Sequence, residues 1–414
     1  VVEVRHPHAV NEEHRINANI VRRMVRQGMA SLVDGDTNDP TAGWKQFFGP
    51  GDVVGIKVNP VGRKPKPGER GRADHAVGAI SSFELIIEIV QGLKSVGVKP
   101  KDIVLFERYA NEFISTGYEK LLRERTMEGV RWPASSAAYS GSQVDIEGLD
   151  QGRNRFSPEL LRHIAGYDPD EFVSMGYCSP AHDQKDDRRF RSHLSTILTR
   201  RVDKVINVPV LKDHRSAGVT MALKNMSHGF NNNVARSHLS GLSHGFRQPV
   251  RKVTGPNQCN SFIPRAIAQH SIREKVVLHI MDGLIGVYEG GPGSWNKTWS
   301  TWRHNGLFFS TDPVAMDHVG WDIIDTKRVQ EGWPVVGEMG LIHRTTPREV
   351  SRELQALAAS HSLDALTLAA AIKNRRDGLA SQVFDLRTPQ HVRLAGDLGL
   401  GVFPAEQITH RIIT

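Results

Sequence analysis

The feature that most constrains the fold is a pair of strand-length apolar runs, Val202 to Leu211 (VDKVINVPVL) and Lys275 to Met281 (KVVLHIM). A strand with one solvated face alternates apolar and polar residues, whereas a nearly continuous apolar run must be covered on both faces. That requirement points to a parallel sheet lying between helices. The rest of the chain supplies matching pieces. Ile16, Ile20, Val21, Met24, Val25, Met29 and Leu32 recur at helical spacing, predicting a helix over Glu12 to Leu32 capped at Asn11. Gly51 to Asn59 reads as a strand stopped by Pro60, Ser82 to Ser95 as a helix, Asp102 to Phe106 as a strand and Glu112 to Arg123 as a helix. Further on, Gly218 to Met226 and Ile263 to Ile272 read as helices and Leu307 to Ser310 as a short strand. A helix then starts at Asp312 with Pro313 in its first turn. The alternation predicts an α/β fold, a mostly parallel sheet with helices on both faces, an irregular insertion and a helical C-terminal tail. The expected division is an N-terminal α/β part (1–132), an irregular insertion or lid (133–187), a core carrying the site (188–345) and a helical extension (346–414). The extension should hold helices near Pro347 to Ser360 and Leu363 to Lys373.

Composition excludes several classes. With 414 residues, 39% hydrophobic and 24% charged, the chain is long enough for more than one core, and disorder, collagen and coiled coil are ruled out. Two cysteines, Cys178 and Cys259, exclude a disulfide scaffold and an iron–sulfur cluster held by four of the chain's own thiolates. No apolar run approaches the ~20 residues that cross a bilayer. The sequence opens at Val1 without an initiator Met, which fits a cleaved exported precursor and equally a trimmed cytosolic chain. Net charge is +8, but residues 181–255 alone hold 14 Lys/Arg against 5 Asp and no Glu, a net of +9. A local positive field suits a small anionic ligand or an acidic protein partner. Phe190, Phe230 and Phe246 are the only aromatics there, with no nucleic-acid motif, so nucleic acid is the weakest of the candidate partners.

The same segment holds the best candidates for chemistry. Lys212, Asp213 and His214 follow directly on a covered strand, and an α/β sheet places its ligands at the carboxyl ends of its strands. A Lys and a His there can bind or protonate an anion, and Asp213 can orient a His or take a cation; alternatively all three are turn residues. Lys224 lies in an apolar helical stretch, where it either snorkels to solvent or is desolvated into a nucleophile or anion clamp. Asn225 and Asn231 to Asn233 add amide groups. Lys57 and Asn59 end an early strand and converge on the same argument. His228, His238 and His244 lack the spacing of a helical or zinc-finger metal site. A loop-built site from His238, Cys259 and Asp282 could still hold a divalent transition metal, the other reading of Cys259 being a small buried apolar residue. Asp312 is accounted for as a helix cap, whereas Asp282 at a strand end has no such local duty in the sequence. Gly286 to Ser294 (GVYEGGPGS) is glycine-rich but matches neither phosphate-loop nor dinucleotide fingerprints.

The blocks GDVVGIKVNP, VINVPVLKDHRSAGVTMALKN, VVLHIMDGLIG with EGGPG, and STDPVAMDHVGWDII together resemble the DUF362 family, over roughly Gly51 to Asp325. The resemblance implies an α/β fold and supplies no reaction. Some members carry ferredoxin-like cysteine clusters, from which this sequence departs. Others are exported through a twin-arginine signal, which would make this chain periplasmic or otherwise exported, the alternative being cytoplasmic. His214, Gly218 and Lys224 are also similar in outline to the nickel-pincer lactate racemase family, in which a Lys holds a pyridinium cofactor. The functional expectation is an enzyme acting on a small anionic substrate. His214, Lys224 and Lys212 would be catalytic, Lys57, Asn59 and Asn225 would bind substrate, and His238, Cys259 and Asp282 would hold a metal. The rival is a non-catalytic subunit of an envelope or redox complex that docks an acidic partner through the basic segment.

Overall fold

Successive residues along the central strands fall into two separate cores, as strands covered on both faces require. In the computed structural model, Ile206, Ile280 and Phe309 pack on one side of the sheet, and Val205, Met281 and Phe308 on the other. The structure describes residues 1–64, 77–139, 143–175, 185–238, 259–296, 298–336 and 389–414.

The strands are β1 (Val2–Arg5), β2 (Val54–Lys57), β3 (Ile103–Tyr109), β4 (Ala134–Ser136), β5 (Tyr167–Ser174), β6 (Arg191–Ser195), β7 (Lys204–Asn207), β8 (Val210–His214), β9 (Gly218–Val219), β10 (Val276–Glu289), β11 (Ser300–Ser310) and β12 (Arg411–Ile413). The helices are α1 (Ala18–Leu32), α2 (Phe83–Ser95), α3 (Ala110–Thr116), α4 (Tyr118–Leu121), α5 (Pro158–Leu161), α6 (Ala222–Phe230), α7 (Cys259–Ile267), α8 (His270–Lys275), α9 (Pro313–Gln330) and α10 (Gln390–Asp397). One large sheet runs β12-β1-β11-β10-β7-β2-β3-β4, with β8 paired to β10 and β9 to β8. From β10 to β4 every neighbouring pair is parallel, and the antiparallel pairs β1·β11 and β10·β11 lie toward the other edge. This is the expected mixed α/β class with a mostly parallel sheet. Helices α1 and α2 cover one face, and α6, α7, α9 and α10 the other. Strands from before and after the insertion share this sheet, while β5 and β6 form a small antiparallel sheet of their own. Among the described residues no helix is long and apolar enough to cross a membrane.

Several boundaries differ from expectation for local reasons. Helix α1 begins at Ala18 rather than Glu12, because the Asn17 side chain accepts from the backbone N–H of Asn19 and Ile20, while Asn11 closes a turn onto Arg15. The helix expected over Glu112 to Arg123 starts earlier and is cut in two at Gly117, whose φ of +106° no other residue adopts cheaply. The apolar run Val202 to Leu211 is two strands, since Pro209 has no N–H for the ladder. Gly218 and Val219 pair back onto β8, so α6 starts only at Ala222. The helix expected over Ile263 to Ile272 is α7 followed by α8. The insertion carries β4, α5 and β5. The helices expected at Pro347 to Ser360 and Leu363 to Lys373 lie outside the described residues; the described end of the tail holds α10 and β12.

Candidate functional site

At the carboxyl ends of β2, β7 and β8, buried amide and ammonium groups form a hydrogen-bonded relay. The parallel register sets His279 beside Asn207 and Asn207 beside Lys57. Burial pulls the His279 imidazole down to about 3, so the ring is neutral. Its Nδ1 lies 3.1 Å from Asn207 Nδ2, which also donates to the Ala222 carbonyl at 3.1 Å. Asn207 Oδ1 accepts from Asn225 Nδ2 at 2.7 Å, and Asn225 Oδ1 accepts from Asn59 Nδ2 at 3.1 Å and Lys57 Nζ at 3.5 Å. Asn59 Oδ1 in turn accepts from Lys212 Nζ at 3.1 Å. Each amide therefore has its orientation fixed by its neighbours, and the relay ends on a cation.

The cations differ in how they are compensated. Lys57, buried, pairs directly with Glu107 at the end of β3 and donates to the Val58 carbonyl at 2.6 Å. Helix α6 can lie this close only because residue 229 is glycine: a Cβ there would sit 2.4 Å from Lys57 Cε. Lys212 is 0% exposed, and its Nζ donates to two neutral acceptors, the Asn59 amide oxygen and the Val61 carbonyl. An ammonium has three donors, so one remains for a further acceptor. Burial, with repulsion from Lys224, pulls Lys212 down to about 7. Lys224 does not snorkel. It is buried on α6, and desolvation lowers it to about 8, against the pull of Cys259 and with added repulsion from Arg108. Asp317 on α9 fixes the start of α6 by accepting from the N–H groups of Ala222 at 2.6 Å and Leu223 at 3.0 Å, while burial pushes its carboxyl up to about 8.

Lys57, Asn59, Lys212 and Asn225 are thus joined in one network, with Lys224 electrostatically coupled to Lys212. His214 is buried at the end of β8, where its Nδ1 accepts from the Ser216 N–H at 2.9 Å. Asp213 has turned to the glycine-rich loop: Oδ1 accepts from the Gly291 N–H at 2.7 Å and Oδ2 lies 3.9 Å from Arg328. Cys259 is buried, its sulfur 3.9 Å from Ser237 Oγ, and burial pushes the thiol up while Lys224 pulls it down. Asp282 does have a local duty, contrary to its sequence reading. It accepts from Ser82 N–H and Oγ at 2.8 and 2.6 Å and from the Leu284 N–H at 3.0 Å, anchoring the start of α2. Its partners are not those of Cys259, and the His238 side chain lies outside the described residues. Among the described residues no group of three His, Cys, Asp or Glu is placed to hold a metal.

Asn207, Glu107, Arg108, His279 and Asp317 complete the neighbourhood and were not singled out from sequence. The available signal was a polar residue inside an otherwise covered strand, as in VINV, LFERY and LHIM.

The fold and this site define an α/β protein whose sheet carries a buried, cation-rich amide network at its strand ends. Residues 183–322 match the family described as "Domain of unknown function (DUF362)". Among curated proteins none matches. A structural-genomics crystal structure of a Thermotoga maritima protein is similar with a TM-score of 0.40 at 12% identity, over 76% of this chain. The chain covers 59% of that protein's length.

Proposed function

We propose that this protein is an enzyme that binds a small anionic substrate or cofactor at the carboxyl ends of β2, β7 and β8. Lys212 and Lys224 supply the positive charge, Lys57, Asn59 and Asn225 form the floor, and His214 is the proton-transferring group. The observation that carries this reading is Lys212: a wholly buried ammonium held by an amide and a carbonyl, with a second lysine close enough to repel it. A buried cation of this kind is costly until an anion completes it. Its lowered pKa also gives it two uses near neutral pH, as an ammonium that clamps an anion and as a free amine that takes a proton or attacks a carbonyl. Within the basic segment Lys212, Lys224 and Arg236 are buried, whereas Lys185, Arg188, Arg200 and Arg201 are exposed.

The test is mass spectrometry of small molecules released from natively purified protein, together with calorimetric titration with inorganic phosphate and with acetate. Wild-type protein is expected to carry or bind an anion, and Lys212→Met and Lys224→Met to weaken binding at least about tenfold. Binding that survives both substitutions overturns the reading.

A further inference from the structure

Next to the lysines lies a second set of buried polar groups that the relay does not use. At the end of β3 the Arg108 guanidinium sits 4.2 Å from the centroid of the Tyr109 ring and donates Nη1 to the His228 carbonyl. Arg108 repels Lys57 and Lys224 and is attracted by Tyr109, Tyr167, Glu112 and Glu107, so it lies within electrostatic reach of the lysines. Tyr109 is 2% exposed and packs edge-on against Tyr139, with ring centroids 5.9 Å apart. Four residues beyond Tyr139, Gln143 is buried, and its carbonyl accepts from the Asn233 N–H at 2.8 Å. Asn232 is buried as well, and its Oδ1 accepts from the His193 N–H at 2.6 Å.

Among the described residues five side-chain atoms of this set have no hydrogen-bond partner: Arg108 Nε, Tyr109 Oη, Gln143 Nε2, Gln143 Oε1 and Asn232 Nδ2. A buried polar atom left unmet costs what a lost hydrogen bond costs, and native proteins keep such atoms few and scattered. Here five of the fourteen such atoms among the described residues belong to this one set. The wall is also held under strain. Gln143 and Asn233, bonded to each other through their backbones, both sit in the left-handed region, with φ of +50° and +48°. Non-glycine residues enter that region rarely, and where the surrounding fold enforces it the position is commonly a ligand clamp.

We infer that Arg108, Tyr109, Gln143 and Asn232 form a subsite that reads an amide-type group, a donor and an acceptor side by side, on the anion bound by the neighbouring lysines. The inference rests on the anion-binding reading above and narrows it. Gln143 presents one unmet donor and one unmet acceptor, which only a group offering both can satisfy together. Arg108 Nε and Asn232 Nδ2 add donors for the acceptor side of that group, and the Tyr109 hydroxyl serves either role. A site built this way rejects an otherwise similar molecule that lacks the group, because its own polar atoms are then left buried and unpaired.

The probes are acetate and N-acetylglycine, which share a carboxylate and differ by an amide, titrated into the full chain by calorimetry. Wild-type protein is expected to bind N-acetylglycine at least about tenfold more tightly than acetate. Gln143→Leu and Tyr109→Phe are expected to bring N-acetylglycine down to the affinity of acetate without lowering the melting temperature, since the atoms removed have no partner to lose. Lys212→Met is expected to weaken both probes. Equal affinities in the wild-type protein overturn the subsite and leave the anion site standing. Variants that melt earlier and keep the preference also overturn it, because the atoms are then engaged within the fold. If neither probe binds, the underlying reading fails and the subsite fails with it.

Discussion

Two buried ionic groups share strand β8 and are built on opposite principles. Around Arg328, which is fully buried, the charges are paired with carboxylates, although Nη2 has no hydrogen-bond partner among the described residues. Its Nη1 lies 2.8 Å from Glu289 and 3.9 Å from Asp213, and donates to the Tyr288 carbonyl at 2.6 Å; Nε donates to the Pro334 carbonyl at 2.8 Å. Glu289 also accepts from Thr298 Oγ1 at 2.8 Å. Around Lys212, one residue before Asp213, the hydrogen-bond acceptors are neutral, and Lys224 repels the ammonium while Asp213, Glu107 and Glu112 attract it from further away than bonding distance. Removing Arg328 leaves buried carboxylates without their cation, whereas removing Lys212 leaves only neutral acceptors behind. The first arrangement is how a protein fixes a loop; the second is how it leaves room for a ligand.

The sharpest way to break this contrast is to delete the two cations in turn. Arg328→Met, which takes the cation from Glu289 and Asp213, is expected to cost about 3–5 kcal/mol in denaturant unfolding, whereas Lys212→Met in the ligand-free protein removes a buried charge and leaves two neutral acceptors, the Asn59 amide oxygen and the Val61 carbonyl, and is expected to cost no more than about 1 kcal/mol. Similar losses from both would erase the distinction.

A second expectation concerns pH. Lys212 is lowered in the folded protein to about 7 from 10.5, so between those values the unfolded chain binds more protons and stability rises with pH. The burden is present in full below the folded value and gone above the unfolded one. From about pH 7 to about pH 9 the gain attributable to Lys212 is roughly 2 kcal/mol. Subtracting the Lys212→Met profile isolates it from Asp317, whose carboxyl, raised from 3.8 to about 8, acts in the opposite direction and overlaps it only from about pH 7 to about pH 8. Coincident slopes would show that Lys212 keeps its ordinary affinity for protons.

Smaller effects sharpen the picture. Gly229→Ala pushes a methyl group against Lys57 and is expected to cost about 1–3 kcal/mol by overpacking. Asn225→Leu strands Asn207 Oδ1 and Asn59 Nδ2 and is expected to cost about 1–3 kcal/mol. The pair Lys327–Glu331, one turn apart near the end of α9, serves as a baseline. Lys327→Ala should cost no more than about 0.5 kcal/mol by the same thermal or denaturant assay.

Much of the sheet was legible because covered strands advertise themselves by composition, and Lys57, Asn59 and Lys212 because they sit where such strands end. Lys224 and Asn225 stood out as polar residues in an apolar helix. What escaped depends on strand order. Nothing in the local sequence says that His279 lies beside Asn207, or that Asn207 meets Asn225, since those contacts exist only once β10, β7 and β2 are neighbours. Asp282 was misjudged for the same reason: its partner Ser82 is 200 residues away in the chain. The start of α1 was misplaced because Asn11 and Asn17 are equally good caps on paper, and only packing of the apolar stripe against the sheet selects the second.

Strand β10 runs unbroken across the joint between β7 and β8, pairing His279 with Asn207, Asp282 with Val210 and Val287 with Lys212, and giving its Asp282 N–H to the Pro209 carbonyl. The joint is therefore splinted. Between its pairs with Val210 and Lys212, β10 advances five residues to the two of β8, so the bulge on β10 sets how far along it Lys212 lies. The distance between the neutral end of the relay and its charged end is thus gauged by a third strand that carries His279 and otherwise serves as the ruler.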